Sequence, residues 1–283
     1  PLQQEMTSVG LLSGRGIFVA IIDSGIDYFH PDFCNADGSS RIAWLLADGI
    51  EYSKAQIDQA LATGDRAAAL SLVPVTDTSG HGTHVAGIAA GNGRASGGRN
   101  RGVAYESPLI VVKLETTRSG GFPLTTQLME AVEYVKQKAI EARKPVAINI
   151  SFGNNYGSHT GTSLLETYLS QVANQWKMAI AIGTGNEGQE ARHRQGKLLV
   201  AGQEVQIELA VDVYETGFNL QFWKLYQDVV DLVLFAPDKS QVFRFEDQGH
   251  KTEQGQIASY VWQNTRIYVF FDAPSPYQIY QEI

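Results

Sequence analysis

Asp23 ends a short apolar segment and lies in the sequence Ile-Ile-Asp-Ser-Gly-Ile-Asp. The residues before it, 16–22, are apolar and rich in β-branched side chains, which predicts a buried strand. In α/β folds, functional side chains gather at the carboxyl ends of the strands. The pattern therefore predicts either a functional carboxylate at the edge of a sheet or an ordinary Asp-Ser-Gly turn.

His81 lies in a second distinctive segment, Ser-Gly-His-Gly-Thr-His-Val-Ala-Gly, over residues 79–87. The small and apolar residues predict a tightly packed helix with His81 at its amino end. A helix N-terminus disfavours an imidazolium, so the ring would stay neutral and able to accept a proton. We predict a general base rather than a capping or core histidine. His84 has no carboxylate spaced to complete a metal site with it, so we expect it to pack against the helix.

These two segments resemble the Asp and His motifs of the subtilases, the subtilisin-like serine peptidases. Residues 148–153 (Ile-Asn-Ile-Ser-Phe-Gly) resemble the substrate-binding strand of that family, and residues 184–188 (Thr-Gly-Asn-Glu-Gly) resemble its oxyanion-hole motif. The four motifs occur in the family's order and span about residues 10–188. The resemblance implies an α/β fold with a parallel sheet flanked by helices.

The resemblance also implies a role for each matching residue. Asp23 would orient His81, and His81 would take the proton of a serine hydroxyl and deliver it to the leaving amine. Asn186 would donate its side-chain amide to the oxyanion. Leu128 could line a pocket for an apolar substrate side chain, although core packing explains it equally well. Two segments would offer backbone edges to an extended protein or peptide substrate: Ser119, Gly120 and Gly121, and Ser151, Phe152 and Gly153.

The serine motif of the family, Gly-Thr-Ser-x-Ala-x-Pro, has no counterpart after Asn186. Gly-Thr-Ser occurs at residues 161–163, but it precedes Asn186 and continues Leu-Leu-Glu, without the Ala and the Pro. We expect Thr162 or Ser163 to be a helix N-cap, with Glu166 fitting a capping box. The catalytic serine is therefore expected beyond the end of this sequence, and the chain alone is expected to be inactive.

Two explanations fit the missing serine. Either the sequence is the N-terminal part of a longer protease, which we favour, or a nicked enzyme obtains its serine from another chain. A helical insertion between the Asp and His motifs and a β-rich insert after the oxyanion motif resemble the clostridial Csp-type germination proteases of spores. This resemblance implies a bacterial extracytoplasmic or spore-associated protein with a propeptide, although the first residues contain no visible signal peptide.

Strands and helices alternate up to residue 188, which predicts the N-terminal part of a catalytic domain over residues 1–188. Continuous apolar runs are typical of strands covered on both faces, and three more occur: 108–114, 145–150 and 178–182. Amphipathic helices are predicted over two segments: 125–143 and 162–176. The Ala-rich residues 50–73 predict a helical insertion with a break at Gly64.

From about residue 189 the sequence contains short strand-like segments separated by turns, which predicts a β-rich inserted module over residues 189–283, similar to a sandwich or jelly roll. Two segments alternate between apolar and polar residues: 205–209 and 241–245. Two others are largely apolar runs: 231–235 and 266–271.

Asp32, in the sequence His-Pro-Asp-Phe, matches an Asp that binds calcium in many subtilases, and Gln3 or Gln4 could add a ligand. The nearby loop 91–101 contains three arginines and no carboxylate, whereas calcium takes six or more oxygen ligands. We therefore expect no required cofactor and a solvated turn at Asp32, with structural calcium as the lesser alternative.

The composition of the 283-residue chain excludes several classes of protein. With 22 Lys and Arg against 30 Asp and Glu, the net charge is −8, which disfavours binding to nucleic acid or to an anionic membrane. No apolar run reaches the roughly 18 residues of a membrane span. Cys34 is the one cysteine, so no disulfide can form within the chain, and we expect Cys34 to be a partly buried bystander.

Three functions from different classes remain open. The first is a subtilisin-like serine endopeptidase. The second is a catalytically dead relative that binds or regulates a partner, and the retained Asp23, His81 and Asn186 argue against it. The third is a binding protein that acts through residues 189–283.

Overall fold

The computed structural model describes residues 12–114, 123–152, 157, 159–175, 177–247, 258–270 and 280–282. The chain divides into two compact units. The first consists of Pro1–Asn154 and Leu165–Asn186, and the second of Asn155–Leu164 and Glu187–Ile283.

A six-stranded sheet forms the centre of the first unit. Its strands are β1 (Phe18–Asp23), β2 (Ile42–Ala47), β3 (Ile50–Ser53), β4 (Leu109–Lys113), β5 (Val146–Ile150) and β6 (Met178–Ile182). They lie in the order β3-β2-β4-β1-β5-β6. All neighbouring pairs are parallel except β2 and β3. The carboxyl ends of β1, β5 and β6 therefore lie along one edge of the sheet.

Helices cover both faces of this sheet. They are α1 (Lys54–Ala62), α2 (Arg66–Leu72), α3 (His81–Ala90), α4 (Thr125–Glu141) and α5 (Leu164–Ala173). One buried cluster joins the sheet to α1, α2 and α3, and a second joins it to α4 and α5. The residues of β1 from Phe18 to Ile22 alternate between these clusters, and every residue of the strand is buried. This double burial is the reason that β1 has a continuous apolar sequence.

The first four residues of segment 50–73, which was expected to be a helical insertion, form a strand instead. Residues 50–53 form β3, which pairs with β2 across a tight turn at Asp48 and Gly49. Both turn residues have positive φ, at 53° and 74°, and Asp-Gly is a strong sequence signal for such a hairpin. The rest of the segment is helical, and the predicted break at Gly64 is confirmed between α1 and α2.

Six short strands lie in the described part of the second unit. They form three antiparallel pairs: β7 (Trp223–Leu225) with β12 (Tyr280–Glu282), β8 (Leu232–Phe235) with β9 (Gln241–Phe245), and β10 (Ala258–Trp262) with β11 (Thr265–Val269). The predicted strand at 205–209 is wrong, because these residues form no regular element. Alternation describes the two faces of a strand but supplies no partner for its backbone. A packed β-sandwich is not confirmed.

Candidate active site

Asp23 and His81 lie 58 positions apart in the sequence and form a direct hydrogen bond in the structure. His81 Nδ1 lies 2.7 Å from Asp23 Oδ1. The Asp23 side chain is fully buried at the end of β1, whereas 53% of the His81 side chain is exposed at the start of α3. A neutral ring that donates its Nδ1 hydrogen to this carboxylate keeps its lone pair on Nε2. The pair can therefore accept a proton at Nε2.

Few groups hold the Asp23 carboxylate. The backbone N–H of Ser24 donates to Asp23 Oδ1 at 2.7 Å. Within the described residues, nothing donates a hydrogen bond to Asp23 Oδ2, which is itself buried. Among the residues that the structure describes, the His81 imidazole and the Ser24 N–H are thus the hydrogen-bond partners of this buried carboxylate.

Gly82 permits the close approach of α3 to β1, and the sequence analysis gave it no separate role. A Cβ atom on Gly82 would lie 2.2 Å from the carbonyl oxygen of Gly25 and 3.2 Å from Asp23 Oδ1. Only a residue without a side chain fits this contact. The glycine directly after the histidine was the available sequence signal.

Those predicted substrate-binding and oxyanion residues that the structure describes follow the carboxyl ends of β5 and β6, at the same edge of the sheet as Asp23. Ser151 and Phe152 follow β5, and Asn186 follows β6 by four positions and is exposed. Neighbouring strands are about 4.8 Å apart, so β6 lies roughly 10 Å from β1. Four of the predicted substrate-binding residues, Ser119, Gly120, Gly121 and Gly153, lie outside the described residues.

The remaining candidate residues lie in the core, at a helix end or at the surface. Leu128 and Phe152 both pack against the core cluster beneath α4 and α5. Ser163 directly precedes α5, as a cap would. His84 is exposed rather than packed. Cys34 is buried, and burial raises the pKa of its thiol, so it is a poor nucleophile.

Asp32 lies in a buried, hydrogen-bonded position. The expected solvated turn is wrong, because Asp32 is only 9% exposed and its carboxylate accepts the Ala95 N–H at 2.8 Å. The guanidinium of Arg41 donates to the carbonyl oxygens of Asp32, Ala90 and Ser107 at 2.6–2.8 Å. A fixed positive charge thus occupies carbonyl oxygens of the kind that calcium takes as ligands.

Arg94 extends this pattern, because it donates to the carbonyl oxygens of Cys34 and Asn35. Across the described ranges, no three His, Cys, Asp or Glu side chains form a group that could hold a metal ion. The same ranges contain no helix long and apolar enough to cross a membrane.

Comparison with known proteins gives consistent matches. The family model for the subtilase family, Peptidase S8, matches residues 14–221. The structure of the CspB protease of Clostridium perfringens superposes with a TM-score of 0.82 and 33% identity, and the match covers 98% of this chain and 56% of that one.

Two curated relatives match a shorter region. Subtilisin of Bacillus pumilus is 29% identical over 177 residues, which are 62% of this chain and 50% of that protein. The minor extracellular protease Vpr of Bacillus subtilis is 28% identical over 181 residues, which are 62% of this chain and 18% of that protein. The chain therefore spans half or less of these two relatives.

Proposed function

Because this chain belongs to the subtilase family, we propose that the complete protein is a serine endopeptidase and that this chain supplies two members of its triad. The observation that carries the proposal is the 2.7 Å contact between Asp23 Oδ1 and His81 Nδ1. Asp23 holds the ring in the tautomer with its lone pair on Nε2 and stabilises the imidazolium that forms. His81 removes the proton of the serine hydroxyl and then protonates the leaving amine.

We place the serine on a segment outside this sequence that extends the sheet beyond β6. In the part of the chain that the structure describes, no strand pairs with the outer edge of β6. Ala179, Ala181 and Ile182 are exposed on this strand, Ile182 to 51%. A further segment packed there would cover apolar surface, which favours its binding. Its residues would reach the edge at which Asp23 and Asn186 lie.

The remaining assignments complete the proposal. Asn186 would donate a hydrogen bond to the oxyanion of the tetrahedral intermediate. An extended peptide substrate would bind along Ser119–Gly121 and Ser151–Gly153 by strand addition. Residues 189–283 would form the β-rich inserted module, and a propeptide would assist folding.

Labelling of the complete gene product with a fluorophosphonate probe tests this function. The probe reacts with an activated serine, so we expect one labelled band on a denaturing gel and no band after heat denaturation. The mass of the band distinguishes a serine on one continuous chain from a serine on a separate processed chain. An unlabelled product that is folded would overturn the proposal and would favour a binding protein that lacks catalysis.

We further propose that this part of the protein needs no calcium, because the Arg41 guanidinium holds together the segments around Asp32. Arg41 is only 7% exposed, and burial lowers the pKa of its guanidinium, which nevertheless remains charged at neutral pH. Its three carbonyl partners belong to the segment around Asp32, the end of α3 and the residue before Pro108. One cation therefore joins three separate parts of the chain.

Replacing Arg41 with methionine should lower the free energy of unfolding by about 3 kcal/mol, since the buried carbonyl groups of Ala90 and Ser107 lose the guanidinium donor and that of Asp32 keeps only the Asn92 N–H. Denaturant unfolding measures this loss. Arg15→Met is the matched control, because Arg15 is exposed and its ion pair with Glu106 lies at the surface. We expect it to cost far less than Arg41→Met, because ion pairs at the surface contribute little to stability. Chelation of calcium should leave the Tm of the unmodified protein unchanged, and a clear fall in Tm would contradict the proposal.

A further inference from the structure

Asp77 accepts several hydrogen bonds at the start of α3, four positions before His81. Its Oδ2 accepts the backbone N–H of Thr83 at 2.8 Å and the Thr83 hydroxyl at 2.7 Å. Its Oδ1 accepts the N–H of Gly80 at 3.0 Å. Asp77 thus performs the capping that Gly80 cannot, because the N-cap residue of α3 is a glycine and has no side chain.

The same carboxylate also binds the turn that carries Asp23. The Ser24 hydroxyl donates to Asp77 Oδ1 at 2.9 Å. The Ser24 oxygen in turn accepts the backbone N–H of Gly82 at 3.0 Å. Ser24, the residue directly after Asp23, is therefore hydrogen-bonded both to Asp77 and to Gly82, the residue directly after His81.

A third contact continues this connection along the chain. The Thr83 oxygen accepts the backbone N–H of Asp27 at 2.9 Å. The first turn of α3 is therefore attached to the segment after β1 at two points, through Ser24 and through Asp27. Both attachments include a group that donates to Asp77.

We propose that Asp77 is a positioning residue that sets the geometry of the Asp23–His81 pair by fastening the first turn of α3 to the segment after β1. The inference rests on the proposed function for its effect on catalysis, but the geometry that it concerns exists in the chain itself. A displacement of about 1 Å in such a pair can cost up to about 100-fold in rate.

The charge state of Asp77 supports this role. Burial tends to raise the pKa of its carboxyl group, but hydrogen bonds from Thr83, Ser24 and Gly80 outweigh that effect and hold the pKa below its usual value. The group is therefore ionised at neutral pH, and hydrogen bonds to an ionised acceptor are stronger than those between neutral groups.

Asp77→Ala in the complete protein should lower kcat about tenfold and leave KM within about twofold, since substrate contacts are unchanged. Asp77→Asn, which keeps one acceptor oxygen, should recover part of the loss. Asp65→Ala is the matched control. Asp65 caps α2 by accepting the N–H groups of Ala67 and Ala68. Both alanine variants should lower the Tm by a few degrees, but only Asp77→Ala should lower kcat.

Proton NMR of the complete protein tests the same inference without catalysis. We expect a downfield Nδ1 proton signal from His81 that broadens or moves upfield in Asp77→Ala and is unchanged in Asp65→Ala. If Asp77→Ala does not fold, Ser24→Ala should give a spectral change in the same direction, because it removes the attachment through Ser24 while leaving Asp77 as the cap. An unchanged signal in the folded variants would overturn the positioning role. An unmodified protein that gives the signal but no labelled serine would refute only the proposed function.

Discussion

Replacing His81 with alanine in the complete protein should lower kcat by about 10⁶-fold, as loss of the triad histidine does in subtilisin. The structure gives the physical reason. The His81 ring is half exposed and is held by the buried Asp23, so it is the group at this site that can exchange a proton with a substrate. KM should change little, because the ring acts in the transition state rather than in substrate binding. Steady-state hydrolysis of a peptide substrate measures both constants.

His84→Ala provides the matched control for this experiment. His84 lies on the same helix, three positions further along, and is exposed. We expect its replacement to change kcat by less than about twofold, since among the described residues it is not one of the hydrogen-bond partners of Asp23. Substantial activity in His81→Ala would exclude the assignment of His81 as the general base.

Replacing Gly82 with alanine should lower kcat by about 100-fold or more, although Gly82 has no chemistry of its own. The new Cβ atom would lie 2.2 Å from the Gly25 carbonyl oxygen, so α3 must move by about 1 Å to restore a normal contact. That movement separates His81 from Asp23. Overpacking should also reduce the free energy of unfolding by about 1–3 kcal/mol. Kinetics and denaturant unfolding measure the two effects separately.

Gly87→Ala is the control for the added methyl group. Gly87 lies on the same helix, and a Cβ atom there would meet nothing within 4 Å. Since alanine favours a helix by about 0.5–1 kcal/mol over glycine, the variant should be equally stable or more stable, with unchanged kcat. Equal activity in Gly82→Ala and Gly87→Ala would show that the close approach at Gly82 does not govern the site.

The sequence predicted the central strands of the first unit well. The ends of β4, β5 and β6 lie at or within one residue of their predicted segments, and β1 begins two residues later and ends one residue later than predicted. Their burial on both faces of a parallel sheet makes each of them a continuous apolar run, which is a strong local signal. The hairpin strand β3 was missed because the helical composition that follows it was extended too far towards the N-terminus. The Asp48-Gly49 signal was present in the sequence.

The second unit was predicted less accurately. The alternating segments 205–209 and 241–245 look alike in sequence, yet only the second is a strand, and it pairs with β8. Alternation shows that a segment could expose one face and bury the other. Whether it becomes a strand depends on a partner whose position is set by the rest of the fold.

By itself, the sequence determined the family to which the motifs around Asp23 and His81 belong, which the match over residues 14–221 confirms. Only the tertiary structure decided what holds these residues together. These contacts join segments that are far apart in the chain. Gly82 packs against Gly25, Asp77 accepts a hydrogen bond from Ser24, and Arg41 donates to three carbonyl groups. The physical reason is that motifs and periodicity report local structure, whereas distances between remote residues are set by strand order, register and the packing of helices on the sheet.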